Sequence, residues 1–141
     1  MDWNEAKRII KENIIEGTDL NRVRSSGEKS SVRRVICTNH RCTSKRYNYN
    51  DEEGFLVSIS NNERDDLDIP WSMLEKCFYS LKEKEGYNGK VFRSYYPQQA
   101  DNHGCHVHVV GMIFKKAGIA TLDSKERNYY LKDYNDNISG S

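Results

Sequence analysis

The sequence lacks the features that would assign it to several large protein classes. No run approaches the roughly 18 consecutive apolar residues of a membrane helix, and the amino terminus has no apolar stretch followed by a small-residue cleavage site. The motifs of phosphate-binding loops, dinucleotide-binding folds and nucleophile elbows are also absent. We therefore expect an intracellular, cytoplasmic protein with no membrane partner and none of the common catalytic motifs.

The overall composition is that of an ordinary globular chain. Of the 141 residues, 36% are apolar and 30% are charged, and the formal net charge is +1. A chain of this length buries about two thirds of its unfolded surface in one domain, so we predict a single globular domain over 1–141, with a polar peripheral tail from about 123. The four cysteines are expected to be reduced, because nothing indicates secretion.

Apolar periodicity predicts three helices. Trp3, Ala6, Ile10 and Ile14 recur at helical spacing, with Asp2 placed to cap the helix. A second helix is predicted from about Pro70 to Glu85, and its stripe makes Cys77 a packed core thiol. The third runs from near Asn102 to Gly118 and contains Gly111, whose cost of about 1 kcal/mol relative to alanine indicates close approach of another backbone or a partner. Helix packing explains this glycine equally well.

Shorter segments predict strands. Val32 to Thr38 is rich in β-branched residues, and Phe55, Val57 and Ile59 alternate with other side chains. Further strands are predicted through Tyr47 and Tyr49 and from Val91 to Tyr96. The expected fold class is α+β, with a small antiparallel sheet of three to four strands packed against about three helices.

Charge is segregated along the chain although the total is balanced. From Arg22 to Arg46 there are eight basic residues and one acid, a local charge of +7. From Asp51 to Asp68 there are seven acids and one base, a local charge of −6. Such runs can simply be two solvated loops that attract one another.

The basic segment also has the composition of a phosphate-binding surface, since lysine and arginine clusters bind the nucleic-acid backbone through counterion release. Tyrosines within it offer faces on which bases stack. The leading hypothesis is therefore a small nucleic-acid-associated binding module. Its predicted contact residues are Arg22, Arg24, Arg33, Arg34, Arg41, Lys45, Arg46, Tyr47 and Tyr49.

Seven of the eight cysteines and histidines fall in two six-residue windows, 37–42 and 103–108. One interpretation joins Cys37 and Cys42, placed at a β-turn, to His103 and His106 in a tetrahedral zinc site. Zinc is the cofactor considered, and none other is predicted.

Two further interpretations of these windows stay open. Cys105 is a candidate nucleophile at the start of the third helix, with His40 or a neighbouring histidine as its base. Alternatively, Cys37 and Cys105 pack in the core, and the histidines are satisfied at a helix start or contact phosphate. Besides a nucleic-acid-binding module and a Cys/His site, a third functional class is a protein-interaction or inhibitor module. It would use the opposed charge segments and have a protein as its partner.

Overall fold

The structure is a computed structural model that describes residues 1–20, 35–43, 47–59, 66–123 and 125–132, together with the backbone of 22–23 and 32–33. The chain forms two compact units, the first of residues 1–14 with 72–141 and the second of residues 15–71. The α+β class predicted from the sequence is confirmed. A single domain over the whole length stays a prediction.

The first unit contains most of the helical structure. Its helices are α1 (Trp3–Asn13), α2 (Trp71–Ser80), which begins at the boundary between the units, α3 (Gly89–Tyr95), α4 (Pro97–Asn102) and α5 (His106–Lys116). The strands β7 (Ala120–Asp123) and β8 (Asn128–Leu131) pair in an antiparallel hairpin. No helix among the described residues combines the length and the apolar character needed to cross a bilayer.

Local chemistry explains the helix boundaries. The Asp2 side chain accepts a hydrogen bond of 2.8 Å from the Glu5 backbone N–H, as predicted for the cap of α1. Asn88 caps α3 in the same way, accepting from the Val91 N–H at 3.1 Å. The chain leaves α5 through Gly118, whose φ of +86° lies in the left-handed region that favours glycine.

The core of this unit brings strand β8 against α5. Tyr129 is buried, and its ring packs directly on Gly111. A Cβ at position 111 would lie 2.7 Å from Tyr129 Cδ1 and closer still to Cε1 and Cζ. The close approach at Gly111 is therefore made by a side chain of the same chain, and not by another backbone or a partner as predicted. Cys77 is fully buried, as expected for a packed thiol.

The second unit contains a four-stranded antiparallel sheet. Its strands are β1 (Thr18–Asp19), β4 (Ile36–Cys42), β5 (Glu52–Ser58) and β6 (Leu67–Pro70), in the spatial order β1-β4-β5-β6. The predicted alternation in β5 is confirmed, because Phe55 and Val57 are buried while Leu56 and Ser58 are half-buried. A separate antiparallel hairpin is made by β2 (Arg22–Val23) and β3 (Val32–Arg33).

Several sequence predictions about local structure are wrong. Residues 37–42 form a strand rather than a turn, because this polar stretch pairs with β5 along its whole length and so gains backbone hydrogen bonds. Residues 47–50 are irregular rather than a strand. Residues 91–95 belong to α3, since the Asn88 cap and burial of Phe92 outweigh the strand preference of valine and aromatic residues.

The segment after 123 also differs from the expected peripheral tail. Strand β8 includes two buried residues, Tyr129 and Leu131. Tyr129 also exchanges backbone hydrogen bonds of 2.8 Å with Tyr87, which fixes this strand in the unit. Tyrosine combines a large apolar ring with a polar tip, which is why a polar sequence stretch can still contribute to a core.

Candidate functional site

The β2–β3 hairpin carries the first part of the predicted nucleic-acid site. Its register pairs Arg22 with Arg33 and Val23 with Val32. Two arginines therefore occupy one register position of a two-stranded ribbon. The neighbouring Arg24 and Arg34 lie outside the described residues, as do Lys45 and Arg46.

Arg41 lies in an acidic environment on the sheet. Its Nε is 3.1 Å from Asp51 Oδ1, and its Nη2 donates to the Asp51 carbonyl at 3.0 Å. The β4–β5 register also places Arg41 opposite Glu53. A phosphate that binds Arg41 would therefore compete with carboxylates, and the sequence did not identify these as partners of Arg41. The pair is about 60% exposed on both sides, and exposed pairs contribute only about 0–1 kcal/mol.

The two predicted stacking tyrosines are not equivalent. Tyr49 is 8% exposed, so its ring faces are not available to a base. Tyr47 is half-buried, and its ring centroid lies 5.7 Å from that of Tyr49 at a tilt of 60°. A tyrosine buries its apolar ring readily when another aromatic ring is adjacent. The stacking role predicted for Tyr49 is corrected accordingly.

The two cysteines predicted as zinc ligands cannot share an ion in this structure. Cys37 and Cys42 are five positions apart on the extended strand β4, so their Cα atoms are separated by about 16 Å at roughly 3.3 Å per residue. Two thiolates on one zinc each lie about 2.3 Å from it. No group of three or more potential ligands able to hold a metal occurs among the described residues.

Burial also disfavours thiolate chemistry at these positions. It raises the pKa of the Cys37 thiol to about 12, with a further contribution from Asp19. Burial likewise raises the pKa of Cys42 to about 12, and the carboxylates of Asp68 and Glu52 add to this shift. Both thiols are fully buried and protonated at neutral pH, so neither is a ready metal ligand or nucleophile.

The second Cys/His window surrounds the junction between α4 and α5. His106 is buried, with its ring centroid 5.1 Å from that of Phe92. His103 accepts at its carbonyl from the His106 N–H at 3.0 Å, which closes the turn between the helices. Cys105 and His108 are half-buried. His106 therefore packs against Phe92 in this structure, and the interpretation in which the histidines are satisfied at a helix start stays a prediction.

One polar pair in the sheet was missed at the sequence level. His40 Nε2 lies 3.2 Å from Asp68 Oδ1, on side chains that are 38% and 17% exposed. The register explains the contact: His40 is opposite Gly54, which has no side chain, while Asp68 is opposite Leu56, two residues along β5. Nothing in the sequence spacing indicates it, because the three strands must first be aligned.

Comparison with known proteins found no matching family model, no similar curated protein and no similar solved structure. Function is therefore inferred from the residues of this chain.

Proposed function

We propose that this protein is a nucleic-acid-binding module whose principal contact element is the β2–β3 hairpin. The observation that carries the proposal is the register of the hairpin, which pairs Arg22 with Arg33. Like charges at directly opposed sheet positions are unfavourable on their own. A polyanion bound along the ribbon would neutralise them.

The sequence around the hairpin adds to this charge. Arg24 and Arg34 follow close behind the two paired arginines in the sequence, so four arginines belong to two short segments of the chain. A two-stranded ribbon is narrow enough to enter the major groove of duplex DNA. Arginine is suited to this role because its planar guanidinium binds phosphate through two parallel hydrogen bonds.

The proposed interface is narrower than the one predicted from charge alone. Arg41 is engaged by Asp51, so it reaches a phosphate only by exchanging one anionic partner for another. Tyr49 is buried and contributes no stacking. The hairpin arginines are thus expected to supply most of the affinity through phosphate contacts, with little discrimination between base sequences.

The proposal is tested by comparing two doubly substituted proteins with the unaltered chain. Arg22→Ala/Arg33→Ala removes the paired charges, and Lys115→Ala/Lys116→Ala removes two exposed charges at the end of α5 as a matched control. Binding to a fluorescein-labelled duplex of about 20 base pairs is followed by fluorescence anisotropy. We expect the hairpin variant to bind more weakly and its log–log salt slope to fall by about 2, at roughly 0.9 per phosphate contact. Equal behaviour of the two variants would overturn the proposal.

A further inference from the structure

A second surface, in the other unit, combines exposed aromatic rings with lysines. Tyr79 on α2 is 50% exposed and Tyr95 on α3 is 49% exposed. The Lys76 side chain on α2 contacts aromatic rings at the end of α3: its Nζ is 5.8 Å from the Tyr95 ring centroid and 5.6 Å from that of Tyr96. We call Lys76, Tyr79, Lys82, Tyr95 and Tyr96 the α2–α3 aromatic surface.

The order of groups on this surface follows from helix geometry. Lys76 and Tyr79 are three residues apart on α2 and so share a face of that helix. Lys82 comes three residues further along the chain, and its Nζ lies 5.2 Å from the Phe78 ring centroid. Along the chain, a lysine therefore precedes and follows the exposed Tyr79, in the order Lys76, Tyr79 and Lys82.

The packing of α2 and α3 does not depend on the exposed rings of Tyr79 and Tyr95. Phe78, adjacent to Tyr79, is fully buried, and so is Phe92 within α3. These two phenylalanines supply the buried aromatic contacts of α2 and α3, while half of each tyrosine remains in solvent. The Tyr79 hydroxyl donates to Glu75 Oε2 at 3.0 Å, which fixes the direction of its side chain and leaves the ring exposed.

We infer that the α2–α3 aromatic surface binds single-stranded nucleic acid, with unpaired bases stacked on Tyr79 and Tyr95 and phosphates held by Lys76 and Lys82. A stacking ring needs a base with a free face, which a single strand offers and an intact duplex does not. The Lys76 ammonium lies over the Tyr95 ring, so on Tyr95 a base stacks on the face that the ammonium does not cover.

The charge of residues 72–95 favours an anionic ligand, although the Tyr79 hydroxyl itself lies near the carboxylates of Glu75 and Asp2. Residues 72–95 contain five basic and three acidic residues, a net of +2. The basic residues are Lys76, Lys82, Lys84, Lys90 and Arg93, and the acidic ones are Glu75, Glu83 and Glu85. One of these acids, Glu75, already accepts the Tyr79 hydroxyl. This surface goes beyond the hairpin proposal, because it lies in a different unit and adds base stacking to phosphate contacts.

The test uses a fluorescein-labelled oligothymidylate of about 12 nucleotides with the full chain. Tyr79→Ala and Tyr95→Ala should each weaken binding about 5- to 150-fold, the range that follows from roughly 1–3 kcal/mol per stacked base. Tyr79→Phe and Tyr95→Phe keep the ring and should bind within about twofold of the unaltered protein. Lys76→Ala should lower the log–log salt slope by about 0.7, the value for one contact to a single strand.

The location of the contact is read separately by photocrosslinking. An oligonucleotide containing 5-iodouridine should crosslink to peptides that contain Tyr79 or Tyr95. Unaltered binding in both alanine variants, or crosslinks confined to other peptides, would overturn the inference. Thermal unfolding of each variant checks that the fold is retained, as expected for half-exposed side chains.

The two nucleic-acid proposals fail in different ways. Loss of duplex binding in Arg22→Ala/Arg33→Ala, with oligothymidylate binding insensitive to both tyrosines, supports the hairpin and rejects the aromatic surface. Tyrosine-dependent oligothymidylate binding, together with duplex binding that is indifferent to the hairpin substitutions, supports the aromatic surface and rejects the hairpin. Binding of a protein but of neither nucleic acid would reject both.

Discussion

Gly111 offers the sharpest test of the packing described for the first unit, because two opposing effects determine the outcome of one substitution. Glycine within a helix costs about 0.8–1.0 kcal/mol relative to alanine, so Gly111→Ala would stabilise α5 if space were available. The Tyr129 ring occupies that space, and a new Cβ would lie 2.7 Å from its Cδ1 and closer to two other ring atoms. Tyr129 is 3% exposed and cannot swing into solvent without leaving the core.

The expected magnitude follows from these two terms. Overpacking a close-packed core costs about 1–3 kcal/mol, and the ring is held by the backbone pairing of Tyr129 with Tyr87. We place the steric cost at the upper end of that range, about 3 kcal/mol. After subtraction of the helix gain, Gly111→Ala should lower the free energy of unfolding by about 2 kcal/mol.

The sign should reverse when the ring is removed. Valine is, like tyrosine, suited to a strand, but it has no atoms beyond Cγ. In the Tyr129→Val background, Gly111→Ala should therefore raise the free energy of unfolding by about 1 kcal/mol. The cost of Tyr129→Val itself cancels in the double-mutant cycle, which leaves a coupling of about 3 kcal/mol.

The measurement is urea-induced unfolding of the four proteins, followed by tryptophan fluorescence. Gly104→Ala is the control, because no atom lies within 4 Å of a Cβ built there, and it should change stability by no more than about 0.5 kcal/mol. If Gly111→Ala stabilises the unaltered background, or if the two substitutions are additive, the described contact between α5 and β8 is refuted.

Three further predictions concern the sheet, the first helix and the buried thiols. Gly54→Ala should destabilise by about 3 kcal/mol in urea unfolding, because its Cβ would lie 2.6 Å from Pro70 Cα and against the Ile69 carbonyl oxygen; a loss below about 0.5 kcal/mol would contradict the β5–β6 packing. Asp2→Ala should lower the free energy of unfolding by about 1 kcal/mol through loss of the α1 cap. Asp2→Asn should retain most of the stability that the cap provides, and equal losses in the two variants would argue against capping. Finally, the folded-state pKa of Cys42 is raised to about 12 from an ordinary value of 9.0. The stability contributed by the protonated thiol is therefore complete below about pH 9 and is lost as the pH rises toward about 12. Cys42→Ala should therefore lose less stability than the unaltered protein between about pH 8 and about pH 10 in urea titrations; a parallel decline in both would show that this thiol is not protected by burial.

The parts of the fold that could be predicted from the sequence are those in which local and tertiary preferences agree. Asp2 caps an amphipathic segment, and the helix α1 forms where both signals place it. Strand β5 likewise has Phe55 and Val57 on its buried face, in agreement with its alternation. Gly111 was recognisable because an unfavourable residue within a helix needs a reason, although the sequence could not identify Tyr129 as that reason.

The predictions failed where distant partners determine the structure. Residues 37–42 are polar enough to resemble a turn, and only their full pairing with β5 makes them a strand. Residues 91–95 favour a strand by composition, but the Asn88 cap begins a helix there. The same limit applies to the candidate site, because the Arg41–Asp51 and His40–Asp68 pairs depend on strand register. Charge counts along a sequence cannot show which cations are already engaged.

The central claim is that the hairpin arginines bind a nucleic-acid backbone, and the salt dependence of duplex binding tests it most directly. Four arginines in contact with phosphates predict a slope of about −3.6 in a plot of log association constant against log salt, at roughly 0.9 per contact. Anisotropy titrations of the unaltered protein with a duplex of about 20 base pairs between about 50 and 200 mM salt measure this slope. A slope of about −3.6 is the predicted result. A flat response, or no binding at the lowest salt concentration, would contradict the claim.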